Sequence, residues 1–215
     1  MELEKSTDYL NYIMKRFYHI GADKNGGVTR LAYTVDEDKM HEELSRIGLE
    51  EGYIVTADEV GNTFLSLGDY EEYYLVGSHL DSVVNGGRYD GVLGVAVGLL
   101  LIKIIKEEKL NIPLKVVAFR CEESSNFMKS TLGSELITNG VNPKYFQVLK
   151  SKKGEKLEDI FANRGYNESP EKIKGVKNYL ELHIEQGRIL ESESLRIGVV
   201  SAIAGNIRLQ VKIRG

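Results

Sequence analysis

The sequence has little cysteine, no long apolar run and no excess of positive charge, and each shortage excludes a class of protein. A single cysteine, Cys121, cannot form an internal disulfide and fits a reducing compartment. The longest apolar run, Val92–Ile105, is interrupted by Gly94 and Lys103, so it is predicted to be a buried helix. It falls short of the roughly 20 apolar residues that cross a bilayer. A net charge of -4 excludes the basic footprint of a nucleic-acid-binding protein.

The beginning of the sequence also lacks the marks of a secreted protein. The segment MELEKSTDYL has neither the basic start nor the apolar stretch of a signal peptide. With 42% hydrophobic residues and no internal repeat, the composition predicts a soluble, cytoplasmic, globular protein. A chain of 215 residues suits about one to one and a half domains.

Helical and strand patterns alternate along the chain. Apolar residues recur at helical spacing over residues 7–20, 35–47, 91–107, 131–138 and 157–163. Short apolar runs typical of strands occupy residues 53–56, 63–67, 73–77, 114–119 and 179–182. This alternation predicts an α/β fold with a mixed, mostly parallel sheet and helices on both faces. In such sheets, ligands bind beyond the carboxyl ends of the strands.

Three of the predicted strands are followed by side chains that can bind a metal ion. These side chains are His79, Asp81, Asp90, Glu122, Glu123 and His183. Imidazoles and carboxylates that converge at one edge of a sheet are the ligands that zinc or manganese prefers. The sequence therefore predicts a divalent-metal site at this edge.

Local spacing assigns finer roles to two of the aspartates. Asp81 lies two residues beyond His79 on a strand, so both side chains point to the same face. Its carboxylate can accept a hydrogen bond from the ring nitrogen that faces away from the metal, which fixes the tautomer. The glycines around Asp90 let the backbone turn sharply, so that this carboxylate reaches inward.

Each of these features also has a purely structural explanation. Isolated histidines are usually structural residues, either hydrogen-bonded in the core or exposed at the surface. We interpret His19 and His41 in this way. Adjacent glutamates usually form a solvated helix face, but Glu122 and Glu123 directly follow a predicted strand. Cys121 is interpreted as a small buried residue, because nothing nearby in the sequence would activate it as a nucleophile. One shared site explains all the strand ends together.

A series of ordered segments resembles the hydantoinase/carbamoylase family. The segments read GGVTRLAYT, GSHLDSV, GGRYDGVLGV, EESSNF, TLGSELITNG, LELHIEQG and IGVVSAIAG. This family includes N-carbamoyl-L-amino-acid hydrolases and allantoate amidohydrolases, and it is related to two-metal zinc peptidases. The likeness spans essentially the whole chain. The segment EESSNF departs from the family's typical EEGSRF, but the acid pair is intact and only a local effect is expected.

The resemblance implies a catalytic domain of the two-metal aminopeptidase type with two divalent ions, either zinc or manganese, with cobalt as a further candidate. His79 and His183 would ligate the first ion, Asp90 would bridge both ions, and Glu123 would ligate the second. The family's last histidine ligand has no counterpart in this sequence. We therefore expect at most one ion to be held tightly by this chain.

The resemblance also implies the reaction. Glu122 would be the general base that takes a proton from a metal-bridged water, and Asp81 would support the catalytic site through His79. Gln186 would contact the substrate with its neutral amide. The substrate would be a small carbamoyl or ureido compound, an N-carbamoyl amino acid or an allantoate-like acid. Its linear amide would be hydrolysed with release of ammonia and carbon dioxide.

The family pattern continues beyond the segments present in this sequence. Residues 207–213 alternate apolar and charged or polar side chains, which predicts a strand. In the family such a strand leads into a lid and dimerisation domain that supplies further substrate contacts. We therefore expect residues 1–205 to be the N-terminal part of the catalytic domain, and 206–215 the first strand of a truncated lid domain. The parent enzyme would be a homodimer, and this chain alone would have little or no activity.

Two other functions stay open at this stage. A two-metal aminopeptidase or dipeptidase would use a similar site, although many such peptidases have a carboxylate where this chain has His183. A non-catalytic fragment that acts as a subunit would dock through the strand at 207–213, because an unpaired edge strand is a template for association.

Overall fold

The computed structural model describes residues 2–203, 211 and 213, and the chain forms two compact units, residues 1–184 and 185–215. The helices are α1 (Leu3–Tyr18), α2 (Val35–Glu50), α3 (Val92–Glu107), α4 (Leu132–Ile137), α5 (Pro143–Phe146), α6 (Leu157–Arg164) and α7 (Ile189–Ser192). The strands are β1 (Ile54–Ala57), β2 (Thr63–Ser66), β3 (Tyr73–His79), β4 (Leu114–Phe119) and β5 (Val176–Leu180). Among the described elements, α7 is the one in the second unit.

The strands form a single mixed sheet in the order β1-β2-β4-β3-β5, which confirms the predicted α/β class. Strand β3 pairs in parallel with β4 and with β5, whereas β1–β2 and β2–β4 are antiparallel. His79 is in register with Phe119, so β3 and β4 end level with each other. The parallel part of the sheet therefore brings the carboxyl ends of three strands to one edge.

The three long helices cover one face of the sheet. Alternate strand residues on this face, such as Leu65, Val76 and Val116, join the core formed with α1, α2 and α3. Helix α3 is apolar along most of its length, and its Leu99 and Ile102 are fully buried, as the sequence predicts. Burying side chains of this size contributes about 1.5–3 kcal/mol each, so this face supplies much of the unit's stability.

The opposite face is covered by the short helices. Phe64 and Phe119 point to this side and pack against a second core that includes Leu132 of α4, Phe146 of α5 and Phe161 of α6. The predicted cover of helices on both faces is therefore confirmed. The second cover differs from the first because its helices are short and are joined by long loops.

Some boundaries differ from the sequence patterns. Strand β5 begins at Val176 rather than 179 and ends before Glu181, so that its polar tail starts earlier than expected. The short helix α5 was not predicted; the Asn142 side chain caps it by accepting a hydrogen bond from the Lys144 N–H. The strand predicted at 207–213 and the boundary at 205 and 206 lie outside the described residues. Within the described part of the chain, no helix is long and apolar enough to cross a membrane.

Candidate metal centre

His79 is the last residue of β3 and is almost completely buried. Its Nδ1 lies 3.1 Å from the carbonyl oxygen of Asp81 and 3.3 Å from the Asp81 carboxylate. Its Nε2 faces the other way, 3.7 Å from an oxygen of Asp90 and 3.7 Å from an oxygen of Glu122. Asp81 therefore orients the ring so that Nε2 is presented to the acidic side of the site.

His183 lies just beyond the end of β5 and contacts Asp90. Its Nε2 lies 3.1 Å from Asp90 Oδ1, and its Nδ1 lies 2.9 Å from the carbonyl oxygen of Ile184. The rings of His79 and His183 are stacked, with centroids 6.1 Å apart. One donor atom from each of His79, Asp90 and His183 lies within 4.8 Å of the others. Two imidazoles with their Nε2 atoms aimed at one carboxylate form a donor set that fits zinc or manganese.

Glycine is required directly after Asp90. Gly91 has φ +66° and is the N-cap residue of α3, and a Cβ at this position would lie 2.6 Å from three atoms of the His79 ring. Any side chain at Gly91 would therefore displace the imidazole as well as strain the backbone. Gly91 is thus the glycine at which the chain turns after Asp90, as the sequence predicts.

Asp81 also holds the acid pair in place. One carboxylate oxygen accepts a hydrogen bond from the Glu122 N–H (3.1 Å), and the other accepts from the Glu123 N–H (3.0 Å). The fully buried Asp81 thus connects His79 at the end of β3 to the loop that follows β4. The sequence predicted the contact with His79, but it gave no signal for the contacts with the loop.

The site carries several carboxylates that raise the pKa values of the groups beside them. The hydrogen bond to Asp90 raises the pKa of His183 to about 9, against the effect of burial. Burial opposes protonation of His79, yet its hydrogen bonds to Asp81 and Asp90 raise its pKa well above the usual value. Burial, helped by the charges of neighbouring carboxylates, raises the pKa of Glu123 to about 7. This clustering of negative charge favours a bound cation.

The other residues singled out in the sequence are not members of the cluster formed by His79, Asp90 and His183. The Glu123 carboxylate is outside the three-residue cluster, although the charges of His79 and Asp90 act on its pKa. Gln186 belongs to the second unit, and its contact with substrate stays a prediction. Cys121 is buried and burial raises the pKa of its thiol well above the usual value, which agrees with the structural interpretation.

Glu181 is a residue near the site that the sequence reasoning missed. Its carboxylate accepts a hydrogen bond from the Ser78 hydroxyl of β3 (2.5 Å) and another from the Tyr179 hydroxyl of β5 (2.6 Å). These bonds join the end of β3, which carries His79, to the end of β5, three residues before His183. The available signal was the spacing, because Glu181 lies two residues before His183 in an extended segment.

Comparison with known proteins gives consistent likenesses. Residues 75–214 match the model of Peptidase family M20/M25/M40. The chain is 35% identical over 209 residues to an N-carbamoyl-L-amino acid amidohydrolase of Geobacillus stearothermophilus, covering 91% of this chain and 50% of the relative. It is 36% identical over 204 residues to an allantoate amidohydrolase of Escherichia coli K12, covering 91% of this chain and 49% of the relative.

A solved structure supports the same relationship. A hydantoinase/carbamoylase family amidase from Burkholderia ambifaria matches with a TM-score of 0.76 at 30% identity, covering 87% of this chain and 47% of that chain. The predicted resemblance to this group of enzymes is thereby confirmed. The chain spans about half the length of the curated relatives it matches.

Proposed function

Because the chain belongs to Peptidase family M20/M25/M40, we propose that it is the metal-binding part of an amidohydrolase. The reaction would be hydrolysis of a linear, non-peptide amide in an N-carbamoyl amino acid or an allantoate-like ureido acid. The observation that carries this proposal is the convergence of His79 at the end of β3, Asp90 just before α3, and His183 just beyond β5. The names of the relatives give the substrate class.

The residues present suit a divalent ion. His79, Asp90 and His183 would hold one ion, and Asp90 with Glu123 would contribute to a second. Zinc or manganese suits this donor set, and cobalt is a further candidate. Bound divalent ions supply a nucleophile at neutral pH and polarise the carbonyl that is attacked.

Glu122 is the residue we assign to proton transfer. Its carboxylate lies 3.7 Å from His79 Nε2 and is partly open to solvent, so it can reach a substrate beside the cluster. Burial and the nearby charges of Asp81 and Glu181 raise its pKa, against the effect of His79 and His183. A raised pKa makes the carboxylate a better proton acceptor, as a general base must be.

Asp81 and Gln186 complete the proposed set. Asp81 holds the His79 ring and the backbone of the acid pair, so we assign it a supporting role in catalysis rather than contact with substrate. Gln186 would bind the substrate through its amide, which can both donate and accept hydrogen bonds.

The wider organisation is part of the same proposal. Residues 1–205 would belong to the catalytic domain and 206–215 would begin a lid domain through which the whole protein forms a homodimer. The greater length of the relatives supports the existence of such a domain. A cytoplasmic location is supported by the single, unpaired Cys121.

Ammonia release by the full-length protein tests the function. The protein would be stripped with a chelator, reloaded with zinc, manganese or cobalt, and given N-carbamoyl-L-amino acids, allantoate or a panel of dipeptides. We expect metal-dependent ammonia release from a carbamoyl or ureido substrate and none from dipeptides. Cleavage of dipeptides without ammonia release from any ureido compound would instead assign the site to a peptidase.

A further inference from the structure

The loop that carries the acid pair is held by side chains rather than by the sheet. After β4 ends at Phe119, four consecutive backbone N–H groups donate to side-chain oxygens. The donors and acceptors are Arg120 to Asn62 (2.8 Å), Cys121 to Glu37 (3.1 Å), Glu122 to Asp81 (3.1 Å) and Glu123 to Asp81 (3.0 Å). The three acceptor residues come from three separate segments of the chain.

All three acceptors are fully buried. Asn62, Glu37 and Asp81 each have 0% of their surface exposed. Buried acceptors hold a loop strongly, because an N–H group that loses its partner in the interior cannot turn to water instead. A carboxylate acceptor also makes the stronger, charge-assisted kind of hydrogen bond.

Cys121 is the residue that needs this support most. It is not a glycine, yet it has φ +53°, in the left-handed region. This conformation is unfavourable for an L-residue, so the surrounding contacts must enforce it. The Glu37 carboxylate accepts a hydrogen bond from the N–H group of Cys121, the residue immediately before Glu122.

Glu37 secures the loop from a second direction. Its other oxygen accepts from the Tyr33 N–H (2.6 Å) and from Nη1 of Arg120 (2.9 Å). Nε of Arg120 in turn donates to the carbonyl oxygen of Gly61, next to Asn62 (2.9 Å). Helix α2 and the turn before β2 are thereby joined to the first residues of the loop.

We propose that Glu37 and Asn62 are positioning residues for the acid pair Glu122–Glu123. Neither residue belongs to the metal cluster, and both act through the backbone of the loop. Asp81 fixes the far end of the loop, and Glu37 with Asn62 fixes the near end. The inference rests on the proposed function only where it assigns chemistry to the acid pair.

The variant Glu37→Gln tests the role with little change in size. An amide has only one acceptor oxygen, and its NH2 group cannot accept a hydrogen bond. The variant therefore loses either the bond from the Cys121 N–H or the bonds from the Tyr33 N–H and Arg120. Glu43→Gln is the matched control, because Glu43 is also buried on α2 and paired with arginine, namely Arg16 and Arg46. Asn62→Ala is the second variant, which serves if Glu37→Gln does not fold.

The first readout is amide hydrogen exchange over residues 120–123, corrected for the global stability of each variant. We expect exchange at Cys121 and its neighbours to rise by about tenfold or more in Glu37→Gln, and to be unchanged in Glu43→Gln. The proposal would be overturned if, after this correction, exchange over residues 120–123 were unchanged in both Glu37→Gln and Asn62→Ala.

The second readout connects the loop to the metal site. In the full-length protein, affinity for the second Co²⁺ ion, which is assigned to Asp90 and Glu123, would be measured for the wild type, Glu37→Gln, Glu123→Ala and the double variant. If Glu37 acts by positioning Glu123, each single variant weakens binding and Glu37→Gln adds nothing in the Glu123→Ala background. Additive losses would contradict positioning. A wild type that binds no Co²⁺ would refute the proposed function, while the exchange result would still decide whether Glu37 holds the loop.

Discussion

The loop after β4 and the segment after β5 bring side chains to the same centre, but the chain supports them very differently. The β4 loop has consecutive N–H groups accepted by fully buried side chains. Strand β5 is largely exposed, with Tyr179 43% and Leu180 64% accessible, and the His183 side chain beyond it is 35% accessible. The position of the β4 loop therefore depends on the folded core of the unit. His183, by contrast, can be substituted with little effect on that core.

This contrast suggests a division of roles within the site. On the side of β3 and β4, the buried His79 and Asp81 and the backbone of the acid pair form one connected arrangement. On the side of β5, His183 is oriented by its contacts with Asp90 and with the carbonyl oxygen of Ile184. A bound ion would join the two sides, since it takes ligands from both.

The largest expected effect comes from removing each histidine in turn. His79→Ala and His183→Ala should both abolish tight binding of Zn²⁺, because each removes a direct ligand. Only His79→Ala should also lower the free energy of unfolding, by about 2 kcal/mol, since it leaves a buried cavity and unpaired groups. His183→Ala should stay within about 0.5 kcal/mol of wild type. Urea unfolding and calorimetric titration check both, and equal stability losses would remove the contrast between the two sides.

Asp81→Asn should have the next largest effect on metal binding. It replaces the carboxylate that accepts two loop N–H groups and faces His79, so we expect a stability loss of about 3 kcal/mol. Metal affinity should fall by roughly 10–100-fold, as for other residues that orient a ligand. Asp23→Asn is the control, because Asp23 also accepts a backbone N–H, that of Asn25, but in an exposed turn. A similar response of the two variants would mean that Asp81 does not organise the site.

Metal affinity should rise with pH. The pKa of His183 is raised to about 9, which favours a protonated ring at neutral pH, and the pKa of His79 is raised in the same direction. Binding needs a neutral Nε2 and must release those protons, which costs less as the pH approaches about 9. Titrations in buffers of different ionisation enthalpy count the protons released. Binding that releases none at neutral pH would show that the carboxylates do not hold the rings protonated.

The smallest effect should come from two glycines of α3. A Cβ on Gly94 would lie 2.6 Å from the carbonyl oxygen of Leu182, in the segment that leads to His183. A Cβ on Gly98 would instead meet the Val116 side chain at 2.8 Å. Overpacking costs about 1–3 kcal/mol in either case, but only Gly94→Ala should also weaken metal binding, by displacing backbone. Equal metal affinity of the two variants would show that the position of Leu182 does not control His183.

Much of the fold and the centre of the site could be predicted from the sequence. Local periodicity identified the strands and long helices, and parallel strand ends predicted that His79, Asp90 and His183 would converge. The role of Asp81 beside His79 also followed from its spacing. These predictions depend on neighbouring residues or on a general rule of sheet topology.

The support of the loop could not be predicted, because it depends on contacts between distant segments. Glu37 looks like an ordinary first-turn acid of α2, and Asn62 like a turn residue after Gly61. Only the folded arrangement shows that both accept backbone N–H groups of the β4 loop. Glu181 was missed for a related reason: its partners Ser78 and Tyr179 lie on two strands, and only one is its neighbour in sequence.

The most direct test of the central claim is a crystal structure of the zinc-soaked protein with anomalous data collected at the zinc edge. The account predicts an anomalous peak about 2.0–2.2 Å from His79 Nε2, an Asp90 carboxylate oxygen and His183 Nε2. A protein that takes up zinc only elsewhere, with no peak among these three side chains, would contradict it.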